Sequence, residues 1–244
     1  MALFSDAGIQ FLLRWVHFLA GITWIGLLYY FNFVQGPFMA EADAATRSAA
    51  TQKLVPRALW WFRWGAMFTF LSGLAILLMR GARWSDPWGL TILSGAAFGT
   101  VMFLNVWLVI WPKQRIVIAN AVATAGGGQA NPAAAGAARR AFLASRVNVV
   151  FSVPMLFFMG AASHFTLPSA GNRALYGILL LLVIGVFELN ALIGTAGPTK
   201  KPIETVRGVI VTGFVTAALI YIIAQLVLRA PTLVHLAHAA LGLA

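Results

Sequence analysis

The chain has 244 residues, 61% of them hydrophobic and 9% charged, with seventeen Lys and Arg against six Asp and Glu and no cysteine. Water-soluble domains average roughly 45–50% apolar and about 25% charged residues, so this composition excludes an ordinary soluble domain. Without cysteine, disulfides, thiolate zinc sites, iron–sulfur clusters and covalently attached haem are excluded as well.

The apolar residues fall in six long blocks, at about 10–34, 58–79, 88–111, 148–165, 174–193 and 206–228. A helix needs about 20 predominantly apolar residues to cross the hydrocarbon core, and none of the blocks shows the period-two alternation of a membrane β-barrel. The expected fold is all-α: a polytopic integral membrane helical bundle of about six transmembrane helices, forming a single domain over residues 1–244.

The first block is too long for the apolar core of a signal peptide and lacks a basic segment before it. It carries His17, an ionisable residue within an apolar stretch and so a functional candidate. Residues three, four and seven positions on share its helix face, which places Ala20, Gly21 and Trp24 beside the imidazole. A glycine one turn away suits the approach of a flat cofactor such as haem, and equally suits close packing of another helix. In the second and third blocks, Trp60, Trp61, Trp88 and Trp111 lie near block ends, as interfacial aromatic belts require. Gly95 and Gly99 form a small-xxx-small face for helix packing. Asn105 either lines a polar cavity or bridges helices.

Residues 112–147 are expected to form a cytoplasmic loop, rich in Ala and Gly and broken at Gly126, Gly127, Gly128, Asn131 and Pro132, with short interfacial helices on either side. In the fourth block Pro154 predicts a kink. His164 near its end has Gly160 one turn before it and repeats the arrangement around His17. Glu188 and Asn190 in the fifth block fit either a proton path or an interhelical hydrogen bond. His235 and His238 fall in an apolar tail too short to span, expected to form an interfacial helix.

Charge then orients the bundle. The loops after the first, third and fifth blocks and their borders hold twelve of the seventeen basic residues, from Arg47 to Arg207; the opposite side holds Arg14, Arg80, Arg83, Arg173 and Arg229. Positive charge is retained in the cytoplasm. Both termini are therefore expected on the periplasmic side, and the basic balance reports topology, with no nucleic-acid partner. The same topology places His17 and His164 in the outer leaflet at comparable depth. There they either bind haem iron from its two faces or each bond a neighbouring helix.

Several stretches together resemble the membrane domain of bacterial cytochrome-linked urate oxidase (urate hydroxylase, PuuD type). They are Arg14-Trp15-Val16-His17 with Trp24-Ile25-Gly26; Trp60–Trp64 with Leu71-Ser72-Gly73; Asn105 through Trp111-Pro112-Lys113-Gln114-Arg115; and Asn148 through Ser152-Val153-Pro154 to Ser163-His164-Phe165. The resemblance implies a multi-pass protein of the bacterial inner membrane that oxidises urate and passes electrons to a cytochrome c. Lacking a Cys-x-x-Cys-His motif, this sequence implies a separate periplasmic cytochrome c as acceptor. The first helix also resembles that of HemJ-type protoporphyrinogen oxidases, which implies haem b at His17.

The expected function is accordingly a membrane-bound, haem-dependent oxidoreductase acting on urate or a similar small planar heterocycle. His17 and His164 are the candidate ligands of the haem iron, and Gly21, Trp24 and Gly160 the candidate haem-face positions. For an anionic substrate, Arg14, Asn105 and Gln114 are candidates, Arg14 on the side of the histidines and Gln114 on the side away from them. The alternatives are a non-enzymatic haem-binding, electron-transfer or transport protein, and a protoporphyrinogen oxidase-like enzyme.

Overall fold

A computed structural model describes residues 2–229; the expected interfacial helix with His235 and His238 lies outside the described residues. Six helices are long and apolar enough to cross a membrane: helix one (Asp6–Glu41), helix two (Val55–Met79), helix three (Pro87–Ala125), helix four (Ala134–His164), helix five (Arg173–Leu192) and helix six (Val206–Arg229). Bilayers admit such helices because each satisfies its backbone groups internally.

The expected loop over 112–147 proves largely helical. Helix three continues to Ala125 and helix four begins at Ala134, leaving the chain reversal to the Gly126–Pro132 stretch, where Gly127 takes φ +80°. Hydropathy marks where a helix meets lipid, whereas helix length follows backbone propensity, and alanine is the strongest helix former. The extension is also packed: Ala137, Ala141, Leu143 and Ala144 are buried.

Helix four occupies the centre of the bundle, with buried residues on every face from Val147 to Ser152. Glycines let its neighbours approach. A Cβ added at Gly95 of helix three would sit 3.1 Å from the Met155 carbonyl oxygen, and one at Gly213 of helix six 2.7 Å from Val153. Helices one and two form a second tight pair through the small residues Gly65, Thr69 and Gly73. A Cβ at Gly65 would lie 3.1 Å from the Trp24 nitrogen and 3.3 Å from the Ala20 carbonyl. Without a hydrophobic drive between helices in lipid, this close backbone approach and its dispersion gain hold such pairs together.

Helices one and three each contain one π-helical segment, Tyr30–Gln35 and Asn105–Ile110. Each holds a buried asparagine, Asn32 and Asn105. Such segments are rare and frequent at functional sites.

The end of the bundle that carries most of the basic residues also holds a clamp on the C-terminus of helix five. Arg140 donates to the carbonyls of Ala191 and Gly194, Arg139 to Thr195, and Lys200 to Asn190 and Ile193. Cations there satisfy the helix's free carbonyls and complement its dipole. Lys200 is only 2% exposed; burial, then the neighbouring Arg140 and Arg139, hold its pKa below the ordinary lysine range.

Candidate functional site

Three groups of polar residues lie within the spans, and their hydrogen bonding separates them. The first is at the His17 end. Helix one turns His17 towards helix two, where the ring fills the notch left by Gly73: a Cβ there would be 2.9 Å from His17 Cε1. His17 Nδ1 is 3.2 Å from Ser72 Oγ. The one hydroxyl hydrogen of Ser72 goes to helix carbonyls, Phe68 at 2.6 Å and Thr69 at 3.2 Å. With that hydrogen committed the serine accepts from the imidazole, so in the neutral ring the proton sits on Nδ1 and the Nε2 lone pair has no protein donor among the described residues. A histidine that ligates a metal is held in this way, its second nitrogen donating to a fixed acceptor.

The other candidates around His17 occupy separate places. Gly21 faces Thr69 at an ordinary van der Waals distance, and Trp24, 2% exposed, is packed into the core. Gly160 has nothing within 4 Å of its Cβ position. Arg14 is exposed. His164 is exposed at the last turn of helix four and makes no hydrogen bond among the described residues. Helices one and four run antiparallel, with Tyr29 Oη 2.9 Å from Ser152 Oγ and Asn32 Nδ2 donating to Ser145 Oγ at 2.8 Å. His17 and His164 each lie twelve residues beyond the Tyr29–Ser152 contact, or about 18 Å along the helix axis. Ideal helix geometry sets both at a comparable distance from that contact, each turned about 120° from it, and among the described residues no contact joins them. Among the described residues no group of three or more His, Cys, Asp or Glu is placed to hold a metal ion.

The second group lies mid-bundle. Asn105 Nδ2 donates to Asn148 Oδ1 and to Glu188 Oε2, both at 2.9 Å, and Asn148 Nδ2 donates to the Met102 carbonyl at 3.0 Å. Asn105 thus commits both amide hydrogens to a cross-link between helices three, four and five, with none left for a substrate. Asn190 is likewise engaged, with Thr199 and Lys200.

The third group, at the basic end, is open. Phe31, Asn32, Gln35, Phe62, Gln114, Phe142, Ser145 and Arg146 line a cavity of about 130 Å³ between helices one, two, three and four. Arg146 is 5% exposed, and its buried Nε and Nη1 have no hydrogen-bond partner. The buried Gln35 Oε1 also lacks one, and Gln114 makes no hydrogen bond among the described residues. The Phe142 ring lies 4.9 Å from the guanidinium and compensates part of its burial. No carboxylate does: among the described residues the one ion pair is Arg139 with Glu204, near the surface. Burying an ion without a partner costs on the order of several kcal/mol, and nearly all buried polar groups in proteins are bonded.

The urate oxidase N-terminal family model matches residues 86–224, more than half of the chain. This protein belongs to that family. No curated protein and no solved structure matches it. The matched region runs from the start of helix three through most of helix six. It contains Asn105, Gln114, Arg146, Asn148, His164 and Glu188, and stops short of helix one, which bears His17.

The sequence offered Gln114 of the third group as a substrate candidate but passed over its arginine. Arg146 reads as one more topological charge beside Arg139 and Arg140. The available signal was spacing: Arg146 stands two residues before the apolar block at Asn148, close enough for the bundle to bury it.

Proposed function

We propose that the protein is a membrane-bound, haem-dependent oxidoreductase of the urate-oxidising kind. In this reading it lies in the bacterial inner membrane with its basic end in the cytoplasm, and delivers electrons to a periplasmic cytochrome c. Family membership supports the urate side of the reading. The observation that carries the haem side is His17, with Nδ1–H held by Ser72 and an Nε2 lone pair free to ligate iron.

His17 would hold haem b, which would supply one-electron redox chemistry between substrate and cytochrome. The chain's own contribution is to hold the imidazole in one tautomer and one orientation, through Ser72 and the notch at Gly73. His164, which makes no hydrogen bond among the described residues, would be the second residue to hold that group. Oxidation of urate to a hydroxylated product removes two electrons, with water as the oxygen source, so one turnover reduces two equivalents of a one-electron acceptor such as a cytochrome c.

An optical spectrum of detergent-purified protein tests the reading. We expect a Soret band that shifts on anaerobic addition of urate, and its loss in His17→Ala. A wild-type preparation with no Soret band after haem supplementation overturns the cofactor. A band indifferent to urate removes the substrate and favours a haem-binding electron-transfer protein; reduction by protoporphyrinogen instead marks the other oxidase.

A further inference from the structure

We infer that the cavity around Arg146 is a binding site for a planar heterocyclic anion, distinct from the His17 end of the bundle. Four observations build the site. Arg146 is nine-tenths buried, lines the cavity and carries two nitrogens with no hydrogen-bond partner, which calls for an acceptor, and an anion before a neutral one. A planar guanidinium fork matches two adjacent acceptor atoms in one plane. Gln35 and Gln114 bring amides that each present a donor and an acceptor, whereas Ser145, already accepting from Asn32, has its hydroxyl hydrogen to give. Phe31, Phe62 and Phe142 supply flat apolar walls.

This combination discriminates among anions. Chloride, phosphate and a simple carboxylate satisfy the arginine but offer no N–H to the unpartnered Gln35 oxygen. An anionic heterocycle with ring N–H and carbonyl groups, such as an oxidised purine or pyrimidine, meets the donors, the acceptors and the aromatic walls together. Electrostatics favours its arrival. Lys113, Arg115, Arg57 and Arg63 belong to the same basic end, and a cleft with charge of one sign raises the local concentration of its counter-ion.

The cavity is not a place beside a group held at His17. Asn32, on its wall, is fifteen residues along helix one from His17, or about 22 Å. It is therefore a capture site at the basic end. The choice of urate as first ligand rests on the proposed function; the site itself does not.

Isothermal titration of urate into detergent-purified full-length protein is the test, with orotate as a second planar anion. Wild-type protein is expected to bind at one site. Arg146→Met and Gln114→Leu should each weaken binding by about ten- to hundredfold, the loss of a charge-assisted or buried hydrogen bond. Arg146→Lys, which keeps the charge without the fork, should fall between, and Arg83→Met, at the opposite end of the bundle, should bind as wild type does. Gln114→Leu removes no existing hydrogen bond and so carries the test even where an arginine variant does not fold. Urate binding unchanged in Arg146→Met or Gln114→Leu overturns the site, whatever the protein oxidises. So does wild-type protein that binds neither anion. Binding that depends on Arg146 and Gln114, in a protein that never oxidises urate, upholds the site and overturns the proposed reaction instead.

Discussion

The two ends of helix one hold its two polar stations, and they are built on opposite terms. At the His17 end a neutral ring is fitted into a notch, one nitrogen satisfied by a serine and the other left outside the hydrogen-bonded set. At the Gln35 end a full cation stands in a cavity of amides and rings with no counter-charge. Between them lies the Asn105–Asn148–Glu188 cross-link, in which the amide hydrogens of Asn105 are spent. An intramembrane polar residue is therefore not informative by its presence alone. What marks a ligand site is the bonding capacity left over after the protein has used what it can.

That contrast predicts opposite stability effects. Arg146→Met should stabilise the ligand-free protein, by about 1–4 kcal/mol on the precedent of buried charges replaced by apolar side chains, while removing anion binding; thermal unfolding in detergent with and without urate reads both. A lower Tm would show that the guanidinium already has a structural job. Asn105→Leu should do the reverse. It strands Glu188 and the Asn148 carbonyl oxygen, at a cost of about 1–3 kcal/mol, and Asn105→Leu combined with Glu188→Leu should recover part of it. Gly73→Ala sharpens the other end: its Cβ would meet the His17 ring at 2.9 Å, and overpacking of this kind costs about 1–3 kcal/mol. Its particular readout is a displaced Soret band, since the ring must turn.

The smallest effect belongs to the basic end outside the membrane. The Asp43 carboxylate accepts from the Thr46 backbone N–H and hydroxyl and from the Ala45 N–H at the start of the short helix Ala44–Lys53. These bonds, Thr46 first, hold its pKa below the usual carboxylate value. Its contribution is present above the unfolded value, about 3.9, and is lost as pH falls through the lowered one. Asp43→Ala should show a slightly lower Tm at neutral pH and lose that acid-side slope.

The six spans were legible because burial in lipid imposes a composition that no other environment tolerates at such length. The Gly126–Pro132 break was legible too, from residues that cannot continue a helix. The helix ends were not: nothing in an apolar count distinguishes a helix that leaves the bilayer from one that stops, and residues 112–125 and 134–147 are helix outside the apolar blocks. The π-helical segments had no signal, since Tyr30–Gln35 and Asn105–Ile110 read as ordinary helix by composition. Arg139, Arg140, Lys200 and Arg146 were visible only as a sum of charges. The structure separates them into three residues that clamp a helix terminus and one that has nothing to hold. His17 was legible as a candidate; its tautomer was not, because that depends on Ser72, fifty-five positions away.

The π turn in helix one has a consequence for how the protein tolerates length change. Each residue of an α-helix rotates the chain by about 100°, and a π turn takes up one residue beyond the α repeat. The faces before and after Tyr30–Gln35 are thus aimed separately: His17 at helix two, Gln35 at the cavity. Deleting a single residue from this segment would leave helix one intact as a helix and swing one station away from its target. A substitution tests what a side chain does; here an excision would test its bearing.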